Sequence, residues 1–152
     1  WLEQNGYDLT YTSGVDSDRR GSLIKNHKIF LSVGHDEYWS GAQRRHVEAA
    51  RDAGVNLCFW SGNEVFWKTR WEPSIVNQKN HRTLVCYKET HNGKKIDPSG
   101  EWTGTWRDSR DFNPEGGQPE NALTGTIFTV NAWRNDALTV PSKYSRFRLW
   151  RN

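Results

Sequence analysis

The chain has 152 residues, with 21 basic and 18 acidic side chains that give a formal net charge of +3. This length predicts one domain with enough mass to bury a core. The basic residues are interleaved with acidic ones instead of forming a stripe, so no nucleic-acid-binding surface is expected. No apolar run approaches the roughly 20 residues that a spanning helix needs, so no membrane partner is expected either.

The opening of the sequence resembles the end of a helix. The chain contains no Met, and its first six residues, WLEQNG, are typical of a last helical turn followed by a glycine stop. We therefore expect residues 1–152 to be one domain and a fragment of a larger one, with a βα core over 1–72 and an irregular, β-rich part over 73–152. Nothing resembles a targeting signal, and cytoplasmic and secreted locations both stay open.

Strand-like and helical segments alternate in the first half. The β-prone run 7–11 precedes a helical stretch through Lys25. The nearly continuous apolar run 28–33 ends at a glycine and precedes a well-capped helix over 41–53. A third apolar run, 55–60, ends in a polar turn. Three βα units in series predict a parallel sheet with helices on its faces.

The second half is predicted to be less regular. Short β-like pieces occur at 83–88, 126–130 and 146–150. Between them, the stretch 90–117 is rich in turn-forming residues. We expect this stretch to cover the binding crevice and to be weakly protected from hydrogen exchange.

Polar side chains follow the predicted strands where each strand ends. In open parallel sheets, ligands bind beyond the carboxyl ends of the strands. Tyr11, Tyr38 and Asn63 are therefore expected at one edge of the sheet. His35 and Asp36 lie in the same turn as Tyr38, but consecutive side chains point in different directions and cannot all bind one metal ion. Asp36 could equally satisfy backbone N–H groups at the start of the next helix.

Other reactive side chains have simpler interpretations. His46 falls on the small-residue face of the predicted helix 41–53, where a partly buried, hydrogen-bonded histidine is expected. Cys58 and Cys86 lie in strand-like runs and carry no spacing signature, so they are interpreted as buried thiols. Ser61 follows a strand, but its neighbours do not match a nucleophile elbow. The residues therefore give little support for covalent catalysis.

Several strings resemble the large (β) subunit of N,N-dimethylformamidase. The most specific is GHDEYWS at 34–40, and the similarity continues through RDAGVNL at 51–57, RWE at 70–72, PENALTG at 119–125 and RLWRN at 148–152. The resemblance thus covers nearly the whole chain. It implies the class I glutamine-amidotransferase-like, flavodoxin-type fold, which agrees with the βα units.

The resemblance also implies an activity, the hydrolysis of a small amide by water that an iron ion activates. Two tyrosinates and one glutamate would hold the iron. Tyr38 and Glu120 lie in the matching strings, and phenolate and carboxylate oxygens suit Fe³⁺. Tyr7 and Tyr11 are both open as the second tyrosine, and Tyr11 is preferred because it would end its strand beside the other turns. His35, Asp36 or Asn63 would then orient the water and the amide.

The resemblance alone does not fix the reaction, since one fold hosts many functions. If the chain is a metal-dependent amide hydrolase, its expected ligand is a small amide. Assembly as a homo-oligomer and assembly with a small subunit are both open. The alternative hypothesis is a non-catalytic or carbohydrate-facing binding module that uses the same crevice. In that module Trp39, Trp60 and Trp67 would stack against a sugar.

Overall fold

Two small sheets, and not one, carry the strands of this chain. The computed structural model describes residues 1–131 and 133–150. In the first sheet β1 (Ile29–Ser32) and β3 (Asn56–Phe59) pair in parallel, with Ile29 opposite Asn56. The prediction that the apolar runs 28–33 and 55–60 form strands is therefore confirmed.

The second sheet has three strands around a central one. Here β4 (Trp67–Glu72) pairs in parallel with β2 (Tyr38–Ser40) and antiparallel with β5 (Thr83–Val85). Thr105 adds an isolated antiparallel bridge to Trp67. The architecture is therefore a small α/β domain with one parallel pair and one mixed sheet.

Two main helices pack on this framework. The first, α1 (Gly14–Arg20), starts from a capping box in which Ser13 and Asp16 exchange hydrogen bonds. The second, α2 (Gly41–Asp52), starts where the Ser40 hydroxyl accepts the Gln43 N–H at 3.1 Å. The predicted helix 41–53 is thereby confirmed. The remaining helices are short: α3 (Glu89–Asn92), α4 (Asn121–Thr124) and 3-10 turns at Glu3–Asn5, Gly21–Asn26, Ser142–Tyr144 and Arg148–Trp150.

The hydrophobic core lies between the sheets and α2, and it draws on both halves of the chain. Trp39 is fully buried, and the rings of Phe30 and Phe59 contact it at centroid distances of 6.3 and 6.1 Å. From the second half, Trp106 and Leu123 join the same cluster. The core cluster therefore includes residues from both sides of residue 72.

The predicted parallel three-strand core over residues 7–60 is wrong at its first strand. Residues 7–11 form neither a strand nor a helix, and Tyr7 and Tyr11 are exposed. This run contributes no large buried side chain, and without burial the cost of ordering an extended strand is not offset. Two further expected strands do not form either: 126–130 is irregular, and the 146–150 run contains a 3-10 turn.

None of the helices in residues 1–131 and 133–150 is both long and apolar enough to cross a membrane.

Candidate functional site

A cavity of about 310 Å³ lies beyond the carboxyl end of β3. The turn 61–64, the segment 126–130 and Glu120 line this cavity. This volume is at the small end of the range for ligand sites, roughly 300 to 1,000 Å³. The position agrees with the rule that ligands bind beyond the carboxyl ends of parallel strands.

Glu64 is the unusual residue of this cavity. The residue is 4% exposed, and both of its carboxyl oxygens are buried without a hydrogen-bond partner among the described residues. Burial raises the pKa of Glu64 to about 7, the Ser61 backbone partly opposes the rise, and the charge of Asp36 adds to it. Sequence reasoning placed Glu64 in a polar turn and did not single it out, because burial is not visible in the sequence.

Left-handed backbone flanks Glu64 on both sides. Asn63 has φ 58° and Val65 has φ 55°, and a β-branched residue rarely adopts this conformation. The Val65 N–H donates to the Asp36 carbonyl at 3.0 Å, which holds the turn against the end of β1. Strained backbone of this kind persists only where surrounding contacts determine it. The arrangement keeps Asn63 in the cavity wall.

Asp36 and His35 have different surroundings although they are adjacent. The Ser32 hydroxyl donates to the Asp36 carboxylate at 2.9 Å, and Asp36 lies close enough to Glu64 to affect its pKa. The His35 side chain is 60% exposed and pairs with Glu37 at 2.9 Å. Neither Asp36 nor His35 is part of the cavity lining.

Glu120 is buried at the start of α4 and is 2% exposed. Arg107 pairs with both of its carboxylate oxygens, and the Nε–Oε2 distance is 3.1 Å. The preceding backbone is fixed by Arg44 of α2, which donates to the carbonyls of Gln118 at 2.7 Å and Pro119 at 3.3 Å. Helix α2 and Arg107 together therefore position Glu120 in the cavity.

Tyr38 lies elsewhere. It is the first residue of β2 in the second sheet, it is 37% exposed, and it is not part of the cavity lining. The Lys88 ammonium lies over its ring at 5.4 Å, and the neighbouring Tyr38 phenol raises the pKa of Lys88. Tyr38 begins β2 of the second sheet, whereas Asn63 lies in the turn that follows β3 of the first sheet, so the two residues do not share the carboxyl edge of one sheet.

Tyr11 lies in the irregular segment that precedes α1, and it is also outside the cavity lining. Its side chain is 78% exposed, and a hydrogen bond to Glu3 raises the pKa of its phenol. Because residues 7–11 form no strand, the geometric reason for preferring Tyr11 over Tyr7 does not apply.

The donor chemistry of Tyr38 and Glu120 suits Fe³⁺, but both side chains already have basic partners. Lys88 lies over the Tyr38 ring and Arg107 binds Glu120, so a metal ion held by both side chains would have to displace these cations. Among the described residues, no group of three or more His, Cys, Asp or Glu side chains is placed to hold a metal. The structure thus joins Asn63, Glu64 and Glu120 in one cavity wall that does not include Tyr38 or Tyr11.

The tryptophans proposed for sugar stacking are mostly buried. Trp39 is 0% and Trp67 is 3% exposed, so neither can present a ring face to a sugar. Only Trp60 of the three is open to solvent, at 59%. The surface expected for the carbohydrate-facing module is therefore not formed by these three residues.

The interpretations of the other reactive side chains hold in part. The ring of His46 is half-buried and its Nδ1 lies 2.8 Å from the Ser17 carbonyl oxygen, as expected for a hydrogen-bonded histidine. Cys58 and Cys86 are free thiols, but each is only half-buried.

The whole chain, residues 1–152, matches the family model described as N,N-dimethylformamidase beta subunit-like, C-terminal. No curated protein matches the chain.

Proposed function

Because this chain belongs to the N,N-dimethylformamidase beta subunit-like family, we propose that it contributes to a hydrolase that cleaves the C–N bond of a small linear amide. The observation that carries the proposal is the cavity at the carboxyl end of β3, in whose wall Asn63 and Glu120 meet. Its volume of about 310 Å³ suits a small molecule. Its wall offers carboxamide, carboxyl and hydroxyl groups that can bind an amide.

Asn63 is proposed to orient the amide, because its side chain has both a donor and an acceptor. Asp36 is proposed to orient water from its place beside Glu64, and His35 belongs to the same proposal although it lies outside the cavity wall. The iron ion implied by the resemblance would be held by Tyr38, Glu120 and a second tyrosine, for which Tyr11 and Tyr7 are both candidates. Bound there, iron would supply Lewis acidity toward a carbonyl and toward water.

The larger setting is also a proposal. The parallel β1–β3 pair supports a flavodoxin-type, glutamine-amidotransferase-like sheet, of which it would be one part. A homo-oligomer and a small-subunit partner are both compatible with the exposed apolar side chains between 127 and 150.

The test compares amide hydrolysis and iron content of the complete protein with those of Asn63→Gly. Glycine accepts the left-handed backbone at this position, so the change removes the carboxamide without adding strain. We expect iron content and stability to be kept and hydrolysis to fall about tenfold or more, the effect of a lost hydrogen bond to substrate. The matched control is Gln78→Gly, at another left-handed residue, φ 56°, on the β4–β5 turn.

Unchanged hydrolysis in Asn63→Gly would remove this cavity from the reaction. For the iron, Tyr38→Phe keeps the ring and removes the donor oxygen, with Tyr87→Phe as the control. A Tyr38→Phe protein that keeps its iron and its activity would show that the metal assignment is wrong.

A further inference from the structure

The sequence contains two Asn-Gly pairs, at 5–6 and 92–93. In both pairs the glycine ends a short helical segment with left-handed backbone, at φ 76° for Gly6 and φ 62° for Gly93. All four residues are exposed. The two pairs therefore match in sequence, exposure and backbone, and they differ in their hydrogen bonds and in the charges nearby.

Hydrogen bonds hold the first pair on both sides. The Asn5 carboxamide donates to the Trp1 carbonyl at 2.7 Å, and the Gly6 N–H donates to the Glu3 carbonyl at 3.0 Å. The first bond turns the carboxamide toward the preceding turn, and the second keeps the proton on the glycine nitrogen.

The second pair is not held in this way within residues 1–131 and 133–150. The Asn92 carboxamide makes no hydrogen bond there, and the Gly93 N–H makes no capping hydrogen bond. An exposed side chain changes rotamer within nanoseconds, and nothing lies within 4 Å of a Cβ added at Gly93. The Asn92 carboxamide carbon can therefore approach the Gly93 nitrogen without displacing a neighbour.

The charges beside the two pairs also differ. A backbone N–H loses its proton more readily near positive charge and less readily near negative charge. Lys94 directly follows the second pair, and the carboxylate that precedes that pair, Glu89, already binds Lys95 at 3.1 Å. Glu3 lies two residues before the first pair. Local charge therefore favours a deprotonated glycine nitrogen at the second pair.

We propose that Asn92 is a site of spontaneous deamidation. The Gly93 nitrogen attacks the Asn92 carboxamide carbon, and the new C–N bond closes a five-membered succinimide. The C–N bond to the side-chain amide breaks, and ammonia leaves with the proton of the former N–H. Water then adds to either ring carbonyl and opens the ring, which leaves aspartate or isoaspartate. Glycine permits the attack because it has no side chain to obstruct it. The proposal does not depend on the proposed amide hydrolysis.

The isoaspartate product has a structural consequence, because it lengthens the main chain by one methylene group. The stretch 93–95 joins α3 to Asp97, and both ends of this stretch are fixed. Glu89 of α3 accepts the Asp97 N–H at 2.7 Å, and the Lys95 ammonium donates to the Asp97 carbonyl at 2.7 Å. A longer main chain between these fixed ends weakens the hydrogen bond at the Asp97 N–H.

The test ages the complete protein and follows both Asn-Gly peptides by mass spectrometry after digestion, with chromatography to separate aspartate from isoaspartate. We expect Asn92 to convert about tenfold or more faster than Asn5 in the folded protein. Conversion should be faster at about pH 8 than at about pH 6, because the attacking nitrogen is deprotonated. In denaturant the two rates should agree within about threefold, since the contacts that distinguish the pairs are lost.

The Asn92→Gln variant should not convert at residue 92, because its longer side chain would have to close a six-membered ring. Asn5→Gln is the matched control and should leave the rate at Asn92 unchanged. No conversion of Asn92, or equal rates at both pairs in the folded protein, would overturn the proposal. A difference that persists in denaturant would show that neighbouring sequence sets the rates, and it would contradict the assignment to the fold.

Hydrogen exchange at the Asp97 N–H tests the consequence. Aged native protein that contains isoaspartate should lose protection there by about threefold or more, whereas aged Asn92→Gln should not. Asn92→Asp adds the charge without lengthening the main chain, and its protection should stay near the native value. Native protection at Asp97 in the isoaspartate form would contradict the proposed effect on this stretch.

Discussion

Arg107 and Glu120 form an ion pair that joins the irregular segment before residue 117 to the start of α4. The carboxylate is 3% exposed and the guanidinium is 29% exposed, and Arg107 also lies over the ring of Phe66 at 5.0 Å. The pair therefore links the cavity wall to the second sheet. It also neutralises a carboxylate that would otherwise be buried alone near Glu64.

The first prediction is that Arg107→Ala destabilises the fold by about 3 kcal/mol, because it leaves Glu120 buried and unpaired. Chemical denaturation measures the loss. Arg134→Ala is the matched control, since its pair with Asp136 is exposed on both sides and should change stability by less than about 0.5 kcal/mol. Equal stability of the two variants would contradict a structural role for the Arg107–Glu120 pair.

The second prediction concerns Asp97 and acid. Burial opposes ionisation of Asp97, but hydrogen bonds from Arg70, Ser99 and Thr103 outweigh it and lower its pKa to about 2. A lowered carboxyl pKa contributes stability that is present above the unfolded value, near 4, and is lost as pH falls toward 2. We expect a contribution of about 2 kcal/mol.

Asp97→Asn checks this expectation. Its stability deficit relative to the native protein should be largest above about pH 4 and should shrink as pH falls toward 2. Asp136→Asn, at an exposed residue, should show no comparable deficit. A deficit in Asp97→Asn that is constant across this range would contradict the assigned pKa.

The third prediction concerns Glu64, whose contribution to stability changes with pH in the opposite direction to that of Asp97. The pKa of Glu64 is raised from an ordinary value near 4.5 to about 7. The folded chain then holds this proton more tightly than the unfolded chain, so stability is lost as pH rises from about 4.5 through 7. Denaturation at about pH 5 and pH 8 should show a loss of about 2.5 kcal/mol in the native protein that Glu64→Gln does not share. Parallel losses in both proteins would contradict the buried state of Glu64.

The fourth prediction tests close packing around Trp102, which is 1% exposed. A Cβ added at Gly104 would overlap the Trp102 ring and would lie 2.6 Å from the Thr90 hydroxyl. Gly104→Ala should therefore destabilise the fold by about 2 kcal/mol. Gly100→Ala is the control, because nothing lies within 4 Å of an added Cβ there. Gly104→Ala with the stability of Gly100→Ala would contradict the packing.

The sequence predicts well what depends on local signals. The Ser40 cap, the glycine after Ala53 and the apolar runs on either side were sufficient to place α2, β1 and β3. The second sheet was missed because β2 has only three residues and lies within a polar string, GHDEYWS. Its parallel pairing with β4, in which Tyr38 lies opposite Trp67, places Tyr38 in a different sheet from β3, the strand that precedes Asn63.

The candidate site was predicted in part for the same reason. Asn63 and Glu120 were named from the sequence, the first by its place after a strand and the second by resemblance. Glu64 was missed because its interest comes from burial without partners, which only the fold reveals. The sequence predicted that the stretch 90–117 covers the binding crevice. In the structure segment 126–130 lines the cavity, and 90–117 packs mainly on β4.

The last prediction concerns hydrogen exchange within residues 90–117, which the sequence suggested would be weakly protected. The segment has almost no regular structure, as expected, but its backbone is hydrogen-bonded and largely buried around 102–106. The Trp106 N–H donates to the Phe66 carbonyl at 3.0 Å, and the backbone N–H of Lys68 donates to the Gly104 carbonyl at 2.8 Å.

The side chain of Glu89 is 0% exposed, and its carboxylate accepts backbone N–H groups from this segment. Burial opposes its ionisation, but N–H donors at Thr103, Asp97 and Ile96 outweigh burial and lower the pKa of Glu89. We therefore expect strong protection from exchange at Asp97, Thr103 and Trp106, and weak protection at the exposed Gly117.

The Glu89→Gln substitution replaces one of the two acceptor oxygens with an NH₂ group. That group is a donor, so it cannot accept the backbone N–H that the lost oxygen accepted. Protection at Asp97 and Thr103 should fall about tenfold or more, since a backbone donor loses a charged acceptor. Trp106, whose acceptor is the Phe66 carbonyl, should change less. Glu115→Gln is the comparison, because that carboxylate accepts the Trp102 N–H at 2.9 Å and does not bind Asp97 or Thr103. Weak protection throughout 90–117 in the native protein would contradict the folded segment, and unchanged protection in Glu89→Gln would contradict the role of Glu89 as its organiser.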